Sequence, residues 1–531
     1  MPWDSALPLL GTKDTLVEDM AKTDSRTSKS IKNSSVALVF YFINLILQFF
    51  SRKLFLDYLG AEVLGLNTTA TNLLQFLNLA ELGVGSAISC TLYKPLAEKD
   101  TNTINEIVSL QGWLYRRIAW IVIAGSVVLM AFFPWIFAKM PLPLWYAYAS
   151  FGALLVSVLL SYFVNYKQIV LSADQQEYKI QYSYKASMLA KLLCQILAIR
   201  YLPNGYVWWL VLEVVFAVVA SVTLNRVISH TYPYLETDMD RGKELAKKYP
   251  NILTKVKQLF FHKIAGFALT QSSPIIIYVY TTLTIVALYG NYMLVILGVI
   301  TFLTAMFNGI TAGIGNLIAQ GDKQHVVDVF EELFSINFLL SSVICFGVYK
   351  LLPSFIELWI GSDYLLDNTT LILLVIYTYI SLTRQVIHAY INAYGLFGDI
   401  WAPITEAVIN IGMSILLGYF YGLNGILTGV LFSLFLIVFC WKPYMLYMNG
   451  FKIKFSYYIV MYMKHIAILT ICLVITCFVL NHFELEANMS LEYFVFSVVV
   501  YNGLFLVILF GFSFCVLRSF RSFLYRFLNK I

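Results

Sequence analysis

Apolar runs long enough to cross a lipid bilayer recur along this chain, separated by short polar segments. A helix rises 1.5 Å per residue, so a run of roughly 20 residues spans a hydrocarbon core about 30 Å thick. Only 12% of the residues are charged, whereas soluble domains carry about 25%. The runs also lack the strict alternation of apolar and polar residues found in membrane strands. The sequence therefore predicts an all-α polytopic membrane protein.

Fourteen such runs can be placed, and we predict one transmembrane helix for each. They lie at about 34–51, 64–92, 113–137, 144–166, 186–202, 206–225, 259–281, 286–318, 329–352, 366–391, 400–420, 423–446, 457–480 and 493–517. With this count, only five of the 36 Lys and Arg residues fall in exterior segments: Arg52, Lys53, Lys139, Arg200 and Lys350. Because cytoplasmic loops are enriched in Lys and Arg, both termini are predicted to be cytoplasmic.

A charged segment between the sixth and seventh spans divides the chain into two halves. We predict a cytoplasmic tail at 1–33, a six-helix bundle at 34–227, a cytoplasmic linker at 228–258, a second six-helix bundle at 259–450, and two extra helices with a basic tail at 451–531. A shift of 224 residues aligns Asn67 with Asn291 and Gly85 with Gly309, which indicates an internal repeat. Units with an even number of spans are parallel repeats, and the substrate path is expected between them.

The sequence contains no motif of a catalytic or cofactor site. The seven cysteines lie inside apolar runs and form no CxxC or Cys/His cluster with metal-ligand spacing. A nucleotide-binding P-loop, an HExxH zinc motif and a GxSxG nucleophile motif are also missing. We therefore predict no enzyme activity, no metal and no cofactor. The net charge of +6 is spread over the loops, which the positive-inside rule explains without nucleic acid binding.

Five short segments carry a resemblance to a known family. Residues 59–67 read LGAEVLGLN and residues 78–88 read NLAELGVGSAI. In the second half, residues 262–264 read HKI, residues 288–292 read LYGNY and residues 313–317 read GIGNL. These segments resemble the bacterial O-antigen and capsule (Wzx-like) polysaccharide flippases of the multidrug/oligosaccharidyl-lipid/polysaccharide exporter superfamily. The resemblance covers most of the chain from about residue 34 onward.

This resemblance implies both a fold and a function. The fold would be MATE/MurJ-like, with two six-helix bundles, two extra C-terminal helices, and a central cavity open alternately to each side. The function would be that of an inner-membrane flippase that translocates a polyprenyl-pyrophosphate-linked oligosaccharide for capsule or O-antigen export. The expected partners are this lipid-linked oligosaccharide, membrane lipid, and the polysaccharide polymerase and glycosyltransferases.

Polar residues share one face of the first span. Asn44, Gln48 and Arg52 follow at steps of four, so they lie on the same side of a helix. We interpret this face as a cavity wall on which the Arg52 guanidinium binds the substrate pyrophosphate in a bidentate way. Alternatively, Arg52 extends to the outer headgroups and the amides bond to neighbouring helices.

The second span carries a longer polar stripe that includes Asn67, Gln75, Asn78 and Glu81. Its amides suit the hydrated wall of a cavity that binds sugar. A carboxylate deep inside a membrane helix must be hydrated, paired or protonated. Glu81 therefore either couples transport to a cation, H⁺ or Na⁺, or pairs two helices.

Four further positions complete the candidate site. Lys263 lies near the cytoplasmic entry of the seventh span and is a candidate substrate ligand. Pro274 removes a backbone donor and should kink the same span, so it is either a gate or a static kink. Gly85 and Gly309 lie near the cytoplasmic ends of spans two and eight, where small residues allow helices to approach closely. They either form a gate or serve static packing.

Two other functions remain open. A cation-coupled multidrug exporter of the same superfamily would favour twelve helices and an acidic binding lobe. A membrane glycosyltransferase or polymerase would need a sizeable exterior loop, and the largest candidate, at about 351–364, is short and substantially apolar. Fourteen spans and the basic outer end of span one favour the flippase.

Overall fold

Helices form all of the regular structure in the described part of the chain. The computed structural model describes residues 13–81, 83–396, 398–399, 401–481 and 490–528, and these ranges contain no strand. Ten helical stretches within them are long and apolar enough to cross a membrane. The predicted all-α polytopic fold is therefore confirmed, and the chain is a multi-pass membrane protein.

The helices are numbered in chain order. They are α1 (Lys13–Leu77), α2 (Val84–Glu98), α3 (Thr101–Ala131), α4 (Phe133–Ile136), α5 (Trp145–Phe163), α6 (Ile169–Ala173), α7 (Glu177–Ile180), α8 (Ala186–Tyr201), α9 (Gly205–Thr231), α10 (Gly242–Lys248), α11 (Pro250–Tyr280), α12 (Leu283–Ala319), α13 (Lys323–Ile360), α14 (Asn368–Tyr394), α15 (Trp401–Leu434), α16 (Lys442–Met445), α17 (Ser456–Asn481), α18 (Leu491–Val516) and α19 (Arg518–Leu528). Short 3₁₀ and π segments connect several of them, among them Asn78–Glu81 and Phe435–Trp441.

The chain packs as two compact units. Unit 1 comprises Met1–Leu59, Ala80–Ala131 and Tyr148–Phe260. Unit 2 comprises Gly60–Leu79, Phe132–Ala147 and Phe261–Ile531. These units group residues by spatial packing, whereas the two predicted six-helix bundles are contiguous in sequence. The bundle boundaries therefore stay a prediction.

Two long helices each cover two predicted spans. α1 contains the first span and much of the second, with a non-helical Gly60 (φ 85°, ψ 167°) between them. α15 contains the eleventh span and part of the twelfth, with Gly422 (φ 56°, ψ −132°) between them. Positive φ angles are readily adopted only by glycine, so these two residues allow the backbone to change direction where the predicted spans meet.

The two limbs of α15 form a tight antiparallel hairpin around Gly422. A Cβ at Gly425 would lie 2.0 Å from the Leu417 carbonyl oxygen, and one at Gly429 would lie 2.4 Å from the Ser414 backbone nitrogen. The Ser414 hydroxyl donates a hydrogen bond to the Ile426 carbonyl (3.1 Å). The limbs therefore touch backbone to backbone, as small residues at membrane helix crossings allow.

The second predicted span is interrupted. α1 ends at Leu77, a 3₁₀ turn follows over Asn78–Glu81, and Gly83 has φ 94° immediately before α2 begins at Val84. A left-handed residue cannot continue a right-handed helix. The prediction of one continuous helix over 64–92 is therefore wrong at this point, and the candidate residues Asn78 and Glu81 lie in the interruption.

The charged linker at 228–258 is folded against α3 within unit 1. The Asn105 amide donates to the Tyr234 carbonyl (2.9 Å), and the Asp238 backbone N–H donates to the Ser109 hydroxyl (2.9 Å). Lys248 Nζ lies 2.8 and 2.6 Å from the two carboxylate oxygens of Glu106. This segment is thus an ordered layer on α3 rather than a free connection.

The last three helices pack on α13 within unit 2. α18 lies against both α13 and α17, and α19 lies against α13. The buried Glu332 carboxylate accepts hydrogen bonds from the Ser522 hydroxyl (2.7 Å) and from Arg526 Nη2 (3.0 Å). Phe520 is also buried, in the apolar cluster beneath α19. The described part of the basic C-terminal tail is therefore a docked helix.

Candidate translocation site

The polar face predicted in the first span belongs to unit 1. Asn44, Gln48 and Arg52 are half-buried, whereas Ile46 and Phe50 on the same helix are 54% and 61% exposed. The Nη2 atom of Arg52 is fully buried. This helix buries its polar face and exposes its apolar one, which is the arrangement that a lipid solvent favours. The action of these three residues on one ligand stays a prediction.

The amides predicted in the second span belong to unit 2. Asn67 is buried, and Gln75 and Asn78 are half-buried. Asn291, which the 224-residue shift pairs with Asn67, is also fully buried in unit 2. The predicted substrate-binding residues of the first and second spans thus fall in different compact units, and their joint action stays a prediction.

Glu81 contacts α3. Its Oε1 atom accepts a hydrogen bond from the Tyr115 hydroxyl at 2.9 Å. The Tyr162 ring packs edge-on against Tyr115, with centroids 5.6 Å apart, and Tyr162 also interacts with the Glu81 carboxylate. Phenol donors stabilise a carboxylate in its charged form. The contact joins Glu81 to α3, and both alternatives for Glu81, helix pairing and cation coupling, stay predictions.

Unit 1 also contains a buried ion pair that we did not predict from the sequence. Lys191 on α8 pairs with Glu213 on α9, with Nζ 2.8 and 2.9 Å from the two carboxylate oxygens. The Gln195 amide donates to the same carboxylate (3.1 Å). The two charges lie at similar distances on either side of the tight turn at residues 202–204, so pairing them across a helical hairpin could have been anticipated.

Unit 2 has its own cluster of buried charged residues at α14, α15 and α16. Lys442 Nζ donates to Asp399 at 2.6 Å. Glu406 is 6% exposed, and its Oε1 atom has no hydrogen-bond partner among the described residues. The cationic side chains of Arg384 and Lys442 interact electrostatically with the Glu406 carboxylate. The sequence signal for this cluster was a set of single charges inside apolar runs, and we did not predict the cluster from it.

The structure locates the candidate gate residues only in part. Pro274 is buried in α11, and the helix continues through it to Tyr280. Gly85 lies in the first turn of α2, where a Cβ would be 3.5 Å from the Tyr115 hydroxyl. Gly309 and Lys263 lie on α12 and α11, but their side-chain surroundings are outside the described residues. Their roles in gating and substrate binding stay predictions.

Comparison with known proteins identifies the fold. No family model and no curated protein matches the chain. A solved structure of "Lipid II flippase MurJ, inward closed conformation" is similar, with 14% identity and a TM-score of 0.65 over 92% of this chain and 99% of that chain. An inward-facing multidrug resistance MATE family transporter of the MOP superfamily is similar with 13% identity and a TM-score of 0.51. That match covers 74% of this chain and 92% of the transporter.

These similarities define the class of fold. The chain has the all-helical fold that a lipid II flippase and a MATE transporter share. At such low identity the likeness establishes architecture alone, so the substrate must be argued from this chain's own residues.

Proposed function

We propose that this protein is a flippase that translocates a polyprenyl-pyrophosphate-linked oligosaccharide across the bacterial inner membrane by alternating access. The extent of the structural match supports a flippase, because the MurJ likeness includes 92% of the chain whereas the MATE likeness includes 74%.

One observation carries this proposal. Arg52 holds a guanidinium among half-buried amides on a helix whose other face is exposed and apolar. Burying a permanent cation is costly unless it has an anionic partner or ligand. Guanidinium matches phosphate oxygens in a planar, bidentate geometry. The Gln48 and Asn44 amides, one and two turns away, suit the hydroxyls of the first sugar.

The alternatives predict different behaviour. A cation-coupled multidrug exporter would expel organic cations and would not need Arg52. A polymerase or glycosyltransferase would change the length of the sugar chain. Polysaccharide polymerase and glycosyltransferases are instead expected as partners that consume or supply the substrate for capsule or O-antigen synthesis.

The proposal also fixes an orientation, with both termini cytoplasmic. Cysteines introduced near Lys247 and near Glu484 should label from opposite sides of the membrane, although Glu484 lies outside the described residues. Labelling of both by an impermeant reagent in intact cells would contradict this orientation.

A liposome assay tests the function directly. Purified protein is reconstituted with a fluorescent polyprenyl-pyrophosphate-linked oligosaccharide, and an external glycosidase measures the fraction of sugar in the outer leaflet over time. We expect protein-dependent exposure of the inner-leaflet sugar with unchanged chain length. Exposure equal to that in empty liposomes, or a lengthened sugar chain, would reject the flippase.

Arg52 and its neighbour provide a matched pair of variants. Arg52→Ala should reduce the rate at least about tenfold, and Arg52→Lys should restore only part of it because an ammonium lacks the planar fork. Lys53→Gln removes the same charge from an exposed position one residue away and should leave the rate unchanged. Equal effects of Arg52→Ala and Lys53→Gln on the transport rate would show that Arg52 does not belong to the substrate-binding site.

A further inference from the structure

A groove lies where α17, α18 and α19 meet α13 in unit 2. It has a volume of about 430 Å³, and its lining includes Glu331, Lys464, Arg518, Val460 and Val516. This size is within the range of small-ligand sites, about 300 to 1,000 Å³. Because α17 begins at Ser456 and α18 ends at Val516, the groove lies at one end of both spans. The predicted topology puts that end at the cytoplasmic surface.

The groove opens on the outer surface of the helices. Val460 and Val516 are each 55% exposed, and Tyr457 is 67% exposed. On candidate membrane-spanning helices, such apolar side chains face lipid tails. The same opening therefore presents apolar surface toward the bilayer and charged groups at the level of the headgroups.

The charged groups leave an excess of one positive charge. In the lining of the groove, Lys464 and Arg518 are cationic and exposed, and Glu331 is a half-buried carboxylate. Glu331 interacts electrostatically with Asp328, which lies outside the lining, and with Lys464. The buried His465 ring is hydrogen-bonded through Nδ1 to the Met461 carbonyl (2.8 Å) and through Nε2 to the Ser335 hydroxyl (3.0 Å). Because burial favours the neutral imidazole, His465 is left out of this balance. One phosphodiester would neutralise the groove.

Hydrogen bonds to α13 fix the position of α19, the helix that begins with Arg518. The Ser519 and Ser335 hydroxyls are hydrogen-bonded at 2.8 Å. One and two turns further along α19, Ser522 and Arg526 bind the buried Glu332. Arg518 therefore begins a fixed helix, and Lys464 lines the same groove from α17. A site with fixed walls loses less entropy when a ligand binds.

We propose that this groove binds an anionic membrane phospholipid with a hydroxyl-bearing headgroup. Lys464 and Arg518 bind its phosphate, the Glu331 carboxylate accepts a hydrogen bond from a headgroup hydroxyl, and the acyl chains lie over Val460 and Val516. A zwitterionic lipid would leave the excess positive charge unbalanced. The bound lipid ties the C-terminal helices to α13, independently of which substrate the protein transports.

Lipid titration of the delipidated full-length protein tests this assignment. Phosphatidylglycerol, phosphatidylethanolamine and inorganic phosphate are added separately in detergent, and bound lipid is counted by native mass spectrometry. We expect phosphatidylglycerol to bind at least about tenfold more tightly than phosphatidylethanolamine. Equal binding of the two lipids would overturn headgroup recognition. Displacement of phosphatidylglycerol by millimolar phosphate would reassign the groove to a free anion.

Matched variants locate the binding to the groove. Lys464→Gln and Arg518→Gln should each weaken phosphatidylglycerol binding, and the double variant should abolish it. Arg521→Gln makes the same charge change on α19 outside the groove lining and should bind as the wild type does. Lys464 is exposed, so its replacement should not impair folding. Unchanged binding by Lys464→Gln and by the double variant would overturn the proposal.

Discussion

The ammonium of Lys191 and the carboxylate of Glu213 form a two-pronged ion pair between α8 and α9, with distances of 2.8 and 2.9 Å. The two side chains are 16% and 9% exposed. Desolvation of both charges offsets much of their attraction, so such a pair adds little net stability. Removing one partner is different, because it leaves a buried charge unpaired.

We expect Lys191→Met to destabilise the folded protein by about 3 to 5 kcal/mol, the usual cost of breaking a buried pair. Adding Glu213→Leu should recover most of this loss. Reversible unfolding in mixed micelles measures both variants. A double variant as unstable as Lys191→Met would mean that the pair does more than neutralise two charges, for example by binding a ligand during transport.

Tyr115→Phe removes the hydrogen bond to Glu81 without changing the shape of the ring. Hydrogen bonds to charged groups contribute about 1.5 to 3 kcal/mol, so we expect a loss of that order in unfolding free energy. If Glu81 pairs helices, the pH dependence of transport should be the same in the wild type, Tyr115→Phe and Glu81→Gln. Loss of the pH dependence in Glu81→Gln alone would assign cation coupling to this residue.

Gly85 offers a graded test of the predicted gate. A Cβ there would be in ordinary contact with the Tyr115 hydroxyl, at 3.5 Å, so Gly85→Ala should be tolerated. The leucine side chain of Gly85→Leu extends further and should prevent the helices from approaching at the cytoplasmic side. This variant should therefore hold the protein inward-open. A cysteine reporter at Asn78 should then react faster from the cytoplasm and more slowly from outside, with transport lost.

The same bias is expected for Gly309→Leu. If these glycines serve only static packing, thermal stability should fall. The reactivity of the cysteine reporter at Asn78 should then stay the same from each side of the membrane. An equal change in labelling on the two sides would decide against the gate.

Docking of the linker on α3 should weaken at alkaline pH. Hydrogen bonds to the Glu106 carboxylate raise the pKa of Lys248 above its ordinary value of 10.5. A base with a raised pKa stabilises the folded form fully below the ordinary value, and this contribution is lost as pH rises through the raised value. We therefore expect the linker to loosen above pH 10.5.

An environment-sensitive fluorophore on a cysteine at Lys243 reports this loosening. Lys248→Met should show the loosened signal already at neutral pH. Lys247→Met removes an exposed neighbouring charge and should keep the alkaline transition of the wild type. Identical titrations of the two variants would contradict a specific role for Lys248.

The approximate position of most spans follows from the sequence because hydropathy is local: each run either can or cannot cross the bilayer alone. Fourteen spans were predicted, and the described residues contain ten candidate stretches, two of which each cover two predicted spans. The polar face at Asn44, Gln48 and Arg52 was found for the same reason, since helical spacing is a property of one segment. The interruption at 78–83 was missed because the apolar pattern continues through it. Two glycines in three residues, Gly83 and Gly85, were the available signal.

Long-range partners were beyond this reasoning. The linker contacts join residues more than 120 positions apart, such as Asn105 with Tyr234, and local pattern carries no information about them. Lys191 and Glu213 were an intermediate case. Each was visible as a lone charge in an apolar run, and only the geometry of the turn between α8 and α9 connects them.

The backbone contact between the limbs of α15 restricts where motion can occur. At Gly425 and Gly429 no side chains lie between the limbs, so no rotamer change can absorb a displacement of one limb along the other. Sliding would have to separate the backbones and break the Ser414 hydrogen bond to Ile426. Spans eleven and twelve should therefore move as one rigid body during any transport cycle. Bending should be confined to the segments that join this hairpin to the rest of the chain.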